Sequence, residues 1–150
     1  MSKAAAAIAQ ARKWVGIKEG VQADKNIISI WNKKTGCHAK SKVNPWCAIF
    51  IAALLIKIGA SCFSLSATCK NQRAYFKKKK RWLNRLKRPG NAYIIFITGH
   101  EGIVIKTYAN GKGSYISGNS LNAVRISSFN WKTGKTASGK KILGYGIPKY

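Results

Sequence analysis

The chain has 150 residues, the size of one domain, and its 46% hydrophobic content is enough for a packed core and too high for a disordered tail. Its charge is extreme, with 28 Lys plus Arg against 3 Asp plus Glu, a formal +25. Such self-repulsion suits a polyanionic partner and leaves nucleic acid, the teichoic phosphates of a Gram-positive wall and an anionic membrane surface open, beside a plain Lys-rich coding bias.

Met1 to Gln10 holds one early cation, Lys3, and an alanine-rich apolar stretch shorter than the ~7–15 residues of a signal peptide core. The longest apolar run, Ala48 to Ile56, is well short of the ~20 residues that span a membrane. A soluble chain is therefore expected. Cys37, Cys47, Cys62 and Cys69 are an even set, and without a secretion signal the reduced state is expected. Cys37-His38 with Cys62 and Cys69 matches no standard zinc spacing, so no metal and no cofactor is expected.

In chain order, Lys3 to Val15 predicts a helix from Ile8, Ala11, Trp14 and Val15. Asp24 to Trp31 predicts a short second helix with Ile27, Ile28 and Trp31 inward, and Lys33 to Val43 reads as a loop. Asn44-Pro45 suits an N-cap and first helical position, so Trp46 to Ile58 is expected to be a helix ended by Gly59. Being apolar nearly all round, it should be the central, buried one. Cys62 to Cys69 reads as a loop, Gln72 to Leu86 as room for a short helix, and Pro89-Gly90 as a turn. The rest changes to strands: Ala92 to Ile97, Gly102 to Tyr108, Lys112 to Ile116, Val124 to Phe129 and, after a loop over Gly134 to Lys141, Ile142 to Ile147. Helices followed by an antiparallel meander predict one α+β domain over residues 1–150.

Cys47 falls in the first turn of the apolar helix. Free N–H groups and the helix dipole favour a thiolate there, and the same N–H groups can donate to an oxyanion. His100 lies at a turn between two apolar strands and could act as its base, while His38 sits in a polar loop beside lysines. Asn119, after Gly118, could hold the imidazole in one tautomer. Taken singly, each reads first as structural: a core cysteine, a turn histidine and a turn asparagine. The order Cys at a helix start, His at a strand and Asn at the next strand is the layout of papain-like amidases.

Asn44-Pro45-Trp46-Cys47-Ala48-Ile49-Phe50-Ile51 resembles the nucleophile segment of CHAP-type phage lysins, and Gly99-His100-Glu101-Gly102-Ile103-Val104 their histidine strand. Ser117-Gly118-Asn119-Ser120 resembles their Glu-Gly-Asn-Thr element. Gly144-Tyr145-Gly146-Ile147-Pro148 resembles their closing strand, and Trp14-x-Gly16-x-x-Glu19-Gly20 their N-terminal helix end. The resemblance implies a papain-like fold and a phage endolysin-like amidase or endopeptidase that cuts an amide of bacterial peptidoglycan, with Cys47, His100 and Asn119 catalytic. It implies synthesis in the host bacterial cytoplasm and action on the wall. Two positions depart from the pattern: Ser117 stands where the family has Glu, and Asn91 where it has Asp. Residues 117 and 119 are expected on one face of a strand, and Glu101, next to His100, on the other. Ser41 or Lys42 would supply the second oxyanion donor.

The basic segment Lys77, Lys78, Lys79, Lys80 and Arg81, with Phe76 and Trp82 interleaved, reads either as a solvated face or as a surface that adheres to anionic wall polymers. Two rival readings remain at this level: a basic nucleic-acid-binding module, and a pseudoenzyme that binds wall without cutting it.

Overall fold

Helix α1 (Lys3–Trp14) begins where the Ser2 side chain accepts from the Ala5 N–H, satisfying one free donor of the first turn. The computed structural model describes all 150 residues, and every helix precedes every strand. Helix α2 (Val21–Ala23), a π-helical segment (Asp24–Ile28) and α3 (Ser29–Thr35) run on without a break. They stop at Gly36, which takes the left-handed conformation (φ 76°) that glycine adopts without strain. Ile27, Ile28 and Trp31 face inward as expected. The helix is longer than Asp24 to Trp31 at both ends; Lys33 to Thr35, read as loop, continue it, and Thr35 Oγ1 donates back to the Trp31 carbonyl.

Helix α4 (Cys47–Ile58) starts later than the Asn44-Pro45 signal implies. Asn44 caps a different turn: its side chain accepts from the Lys40 N–H, a local bond that competes with helix capping. Trp46, fully buried, is the residue at the helix boundary. Gly59 ends α4 as expected, and Lys3 Nζ donates to its carbonyl at 2.9 Å. Helix α5 (Cys69–Lys78) is capped by Thr68, which accepts from the Asn71 N–H, so Cys69 opens a helix instead of closing a loop. No helix is long and apolar enough to cross a membrane.

The strands are β1 (Trp82–Leu83), β2 (Ile94–Ile97), β3 (His100–Thr107), β4 (Lys112–Ser120), β5 (Ala123–Asn130), β6 (Lys135–Thr136) and β7 (Ile142–Gly146). They form one antiparallel sheet in the order β1-β7-β2-β3-β4-β5-β6. The meander from β2 to β5 follows the expected order, and β6 falls in the stretch Gly134 to Lys141 expected to be a loop. Strand β7 returns to lie between β2 and β1, and the two-residue strands β1 and β6 carry too little pattern to be foreseen. A bridge between Lys135 and Lys141, with Ile142 N–H donating to the Gly134 carbonyl, ties β6 to the entry of β7. The sheet therefore curls on itself. The fold is α+β.

Alternation along the strands divides two cores. Ile94, Phe96, Ile103, Ile105, Ile116 and Val124 face the helices, packed against Trp46, Phe50 and Leu54 among others. Ile95, Ile97, Val104, Tyr115, Phe129 and Tyr145 fill the inside of the curl. Glycines set how closely the layers meet. A Cβ on Gly118 would lie 2.6 Å from Phe50 Cβ and 2.9 Å from the Trp46 ring, so α4 rests directly on the β4 backbone.

Much of the basic segment is structural. Arg81 donates to the carbonyls of Ile147 and Pro148, Arg85 to those of Ile142 and Gly134, and Arg88 to Thr107. Only Lys77 to Lys80 of the expected Lys77–Arg81 patch stand exposed, with Lys77 Nζ over the Trp82 ring and Lys79 Nζ near the Tyr75 ring. The three acids are engaged or buried. Glu19 accepts from Trp46 Nε1, Asp24 accepts from the Ser41 N–H, and Glu101 is fully buried.

Gly118→Ala is expected to push α4 off β4 and lower stability by about 1–3 kcal/mol, the usual cost of overpacking. Arg85→Ala is expected to cost about 2–3 kcal/mol, because two carbonyls lose a charged donor. Urea unfolding of the purified variants checks both, and a midpoint unchanged from the parent would contradict the role given to either residue.

Candidate active site

Helix α4 packs across β3 and β4 and brings Cys47, its first residue, to the start of β3, where His100 is the first residue. The sequence pattern puts His100 in the turn; the turn is Thr98-Gly99, and the histidine pairs with Ile97 as the first rung of the β2–β3 ladder. Cys47 is 7% exposed, so the residue is nearly sealed from solvent.

The closest polar partner of Cys47 is a second cysteine. Its Sγ lies 3.4 Å from Cys69 Sγ. Cys69 is the first residue of α5, so two helix N-termini, each with unpaired N–H groups and a positive dipole end, converge on one pair of sulfurs. Buried Gln72 locks the two helices in that relation: its Nε2 donates to the Ala48 carbonyl at 2.9 Å and to the Ser66 carbonyl at 2.8 Å.

The neighbours decide which sulfur keeps the proton. The Cys69 thiol is the strongest influence favouring the Cys47 thiolate. Burial opposes it, while His100, both as a donor and by its positive charge when protonated, and the Ala48 N–H support it; together they lower Cys47 to about 5. Cys69 is raised instead, first because its thiol serves Cys47, then by burial and by the neighbouring Glu101 carboxyl. The pair therefore holds a thiolate on the His100 side and a thiol on the Glu101 side.

Glu101 lies on the helix-facing side of β3, in alternation with His100, and neither carboxyl oxygen has a hydrogen-bond partner. Burial raises it well above the usual carboxylate range; the Cys47 thiolate adds to this and the Cys69 thiol opposes it. A fully buried carboxyl with no donor is far cheaper as the neutral acid.

Asn119 lies in β4 at a bulge between Ser117 and Ser120, with φ 56°, a left-handed conformation that Asn tolerates. The bulge breaks the strand alternation, so residues 117 and 119 do not present one face. Ser117 is sealed inside with its Oγ unbonded, whereas Asn119 reaches the surface. Asn119 and His100 line one open groove of about 650 Å³, together with Tyr115, Ser127, Thr136 and Lys140; Cys47 lies outside that lining. The groove brings the asparagine and the histidine together without a hydrogen bond between them.

Ser41 is not free to serve an oxyanion. Its Oγ accepts from the Gly20 N–H at 2.7 Å, and its own N–H donates to Asp24 at 2.7 Å. Lys42 is exposed, and His38 is exposed as expected. The four cysteines are free thiols, and no three His, Cys, Asp or Glu side chains come together as a metal site. Sequence reasoning passed over Cys69 as a site residue, and weighed Glu101 only as an orienting acid that faces away from His100. Thr68 just ahead of Cys69 carried a helix-start signal, and the alternation of Glu101 with Ile103 and Ile105 carried its helix-facing side.

Two outcomes follow from this charge arrangement. Iodoacetamide alkylation of Cys47, followed by mass spectrometry, should rise with pH through a midpoint near 5, and Cys69→Ala should move that midpoint upward, because the thiol donor is gone. Glu101 is raised in the folded state, so stability should fall as pH rises above the unfolded carboxyl value near 4.5, by up to ~1.4 kcal/mol per unit. Glu101→Gln should match the parent at pH 4 and exceed it at pH 7 in thermal unfolding. A gap that does not widen with pH would refute the buried neutral acid.

No protein-family model, no curated protein and no solved structure matches this chain.

Proposed function

We propose that this chain is a cysteine hydrolase of the CHAP amidase or endopeptidase type, papain-like in architecture, that cleaves an amide bond of bacterial peptidoglycan. The observation that carries the reading is Cys47 at the N-terminus of a buried helix beside His100 at the start of a strand, a setting that lowers its thiol. The ordered motifs from Trp14 to Pro148 supply the substrate class.

In this reading the Cys47 thiolate attacks the scissile carbonyl, and free N–H groups of the first α4 turn stabilise the oxyanion. His100 protonates the leaving amine, then activates the water that hydrolyses the thioester. Asn119 acts as the orienting group once substrate fills the shared groove. The exposed Lys77 to Lys80 favour adhesion to anionic wall polymers, weakening as salt rises. Ser117, sealed and unbonded where the family has Glu, favours one second reading, a wall-binding pseudoenzyme.

Lysis of purified walls decides between them. The parent should lyse, Cys47→Ala and His100→Ala should lose roughly 10³-fold or more, and Asn119→Ala should lose less. Undiminished lysis by Cys47→Ala would remove the nucleophile. Wall binding without release of fragments by the parent would leave the pseudoenzyme. Replacing Lys77 to Lys80 with Gln should weaken wall binding at low salt with little change at high salt.

A further inference from the structure

We infer that Cys47 and Cys69 form a peroxide-reactive dithiol that closes to an internal disulfide. The proposal does not depend on the hydrolase reading. If that reading holds, closure removes the nucleophile and reduction restores it.

The geometry comes first. The two sulfurs are already in contact at 3.4 Å, and a disulfide needs about 2.05 Å, so closure requires a movement of little more than an ångström. Both cysteines sit at helix starts, where side chains project from the end of the helix. Gln72 holds the two helix ends together, so the partner thiol is present before any oxidant arrives. The other two cysteines are placed differently: Cys37 is exposed in a loop, and Cys62 is half-buried at a left-handed turn residue (φ 57°).

The chemistry then runs in two balanced steps with a hydroperoxide as oxidant. The Cys47 thiolate attacks the outer oxygen of the peroxide; an S–O bond forms, the O–O bond breaks, and the departing alkoxide or hydroxide takes a proton from water. Cys69 then attacks the sulfenic sulfur of Cys47. An S–S bond forms, the S–O bond breaks, and the released hydroxide leaves as water with the Cys69 proton. Two thiols lose two electrons, and the peroxide gains them. Attack by Cys69 requires removal of its proton, which passes to the departing hydroxide, while the buried Glu101 beside Cys69 stays a neutral acid. The asymmetry of the pair sets the order of events: the sulfur beside His100 meets the oxidant, and the sulfur beside Glu101 resolves it.

The test uses the reduced, desalted full chain treated with dilute hydrogen peroxide, blocked with iodoacetamide and digested with trypsin. Cleavage leaves Cys47 on the peptide from Val43 to Lys57, and Cys62 with Cys69 on the one from Ile58 to Lys70. The expected product is these two peptides joined, two hydrogens lighter than their sum, and separated by dithiothreitol. Cys62→Ser should preserve the link and so assign it to Cys69. Cys69→Ala should abolish it and leave a Cys47 sulfenate that dimedone traps. The inference is overturned if the parent accumulates sulfenate or sulfinate on Cys47 while Cys69 stays alkylatable, if Cys62 is the bridged partner, or if Cys47 does not react. Because the readout is a mass, the disulfide is tested equally well in a chain that lyses no walls.

Discussion

Everything in this protein is arranged around the burial of α4. Nine consecutive residues, Cys47 to Leu55, are buried, so the helix has no polar face to give to water. Each large apolar side chain on it contributes on the order of 1.5–3 kcal/mol only if both of its sides are covered. The helical stretch from Val21 to Thr35 and α1 cover one side, and β3 and β4 cover the other. Gly118 lets Phe50 and Trp46 touch the sheet backbone, and Trp14 packs edge-on against Phe50 with centroids 5.7 Å apart. Packing that fixes α4 along its length also fixes where its N-terminus points.

The site follows from that placement. A helix N-terminus aimed at the start of β3 puts a thiol beside an imidazole, and a second helix N-terminus aimed at the same point adds the thiol of Cys69. Two thiols in contact cannot both ionise, and the flanking groups break the tie. The imidazole favours negative charge on Cys47, and the carboxyl of Glu101 disfavours it on Cys69. The same short chain of groups serves two chemistries, an attack on a carbonyl carbon and an attack on a peroxide oxygen, because both need a nucleophilic sulfur.

The charge of the chain is less uniform in purpose than its total suggests. Arg81, Arg85 and Arg88 are clasps: their guanidinium groups satisfy carbonyls at the ends of β3 and β7 and at the turn into β6. Arg85, which bonds both Gly134 and Ile142, holds closed the edge at which the sheet curls. Lysines make up the free surface charge at the end of α5, two of them against aromatic rings. Planar, multi-donor arginine suits a bond to fixed carbonyls, and flexible lysine suits a solvated face.

Local pattern in the chain is enough for the order of helices and strands, the central apolar helix and its stop at Gly59, the inward faces of Ile27, Ile28 and Trp31, and the placing of Cys47 in a first helical turn. Those features rest on periodicity and on residues whose backbone preferences are strong. The start of α4 is displaced from Asn44 because a competing local bond to Lys40 is decided by the fold of the preceding loop. Strand β1 and the return of β7 are invisible at that level, since two residues carry no period. The packed fold alone brings Cys69 to Cys47 across 22 positions of sequence and turns Glu101 toward them. A thiol's partner and a carboxyl's burial are properties of distance in space, which no local pattern encodes.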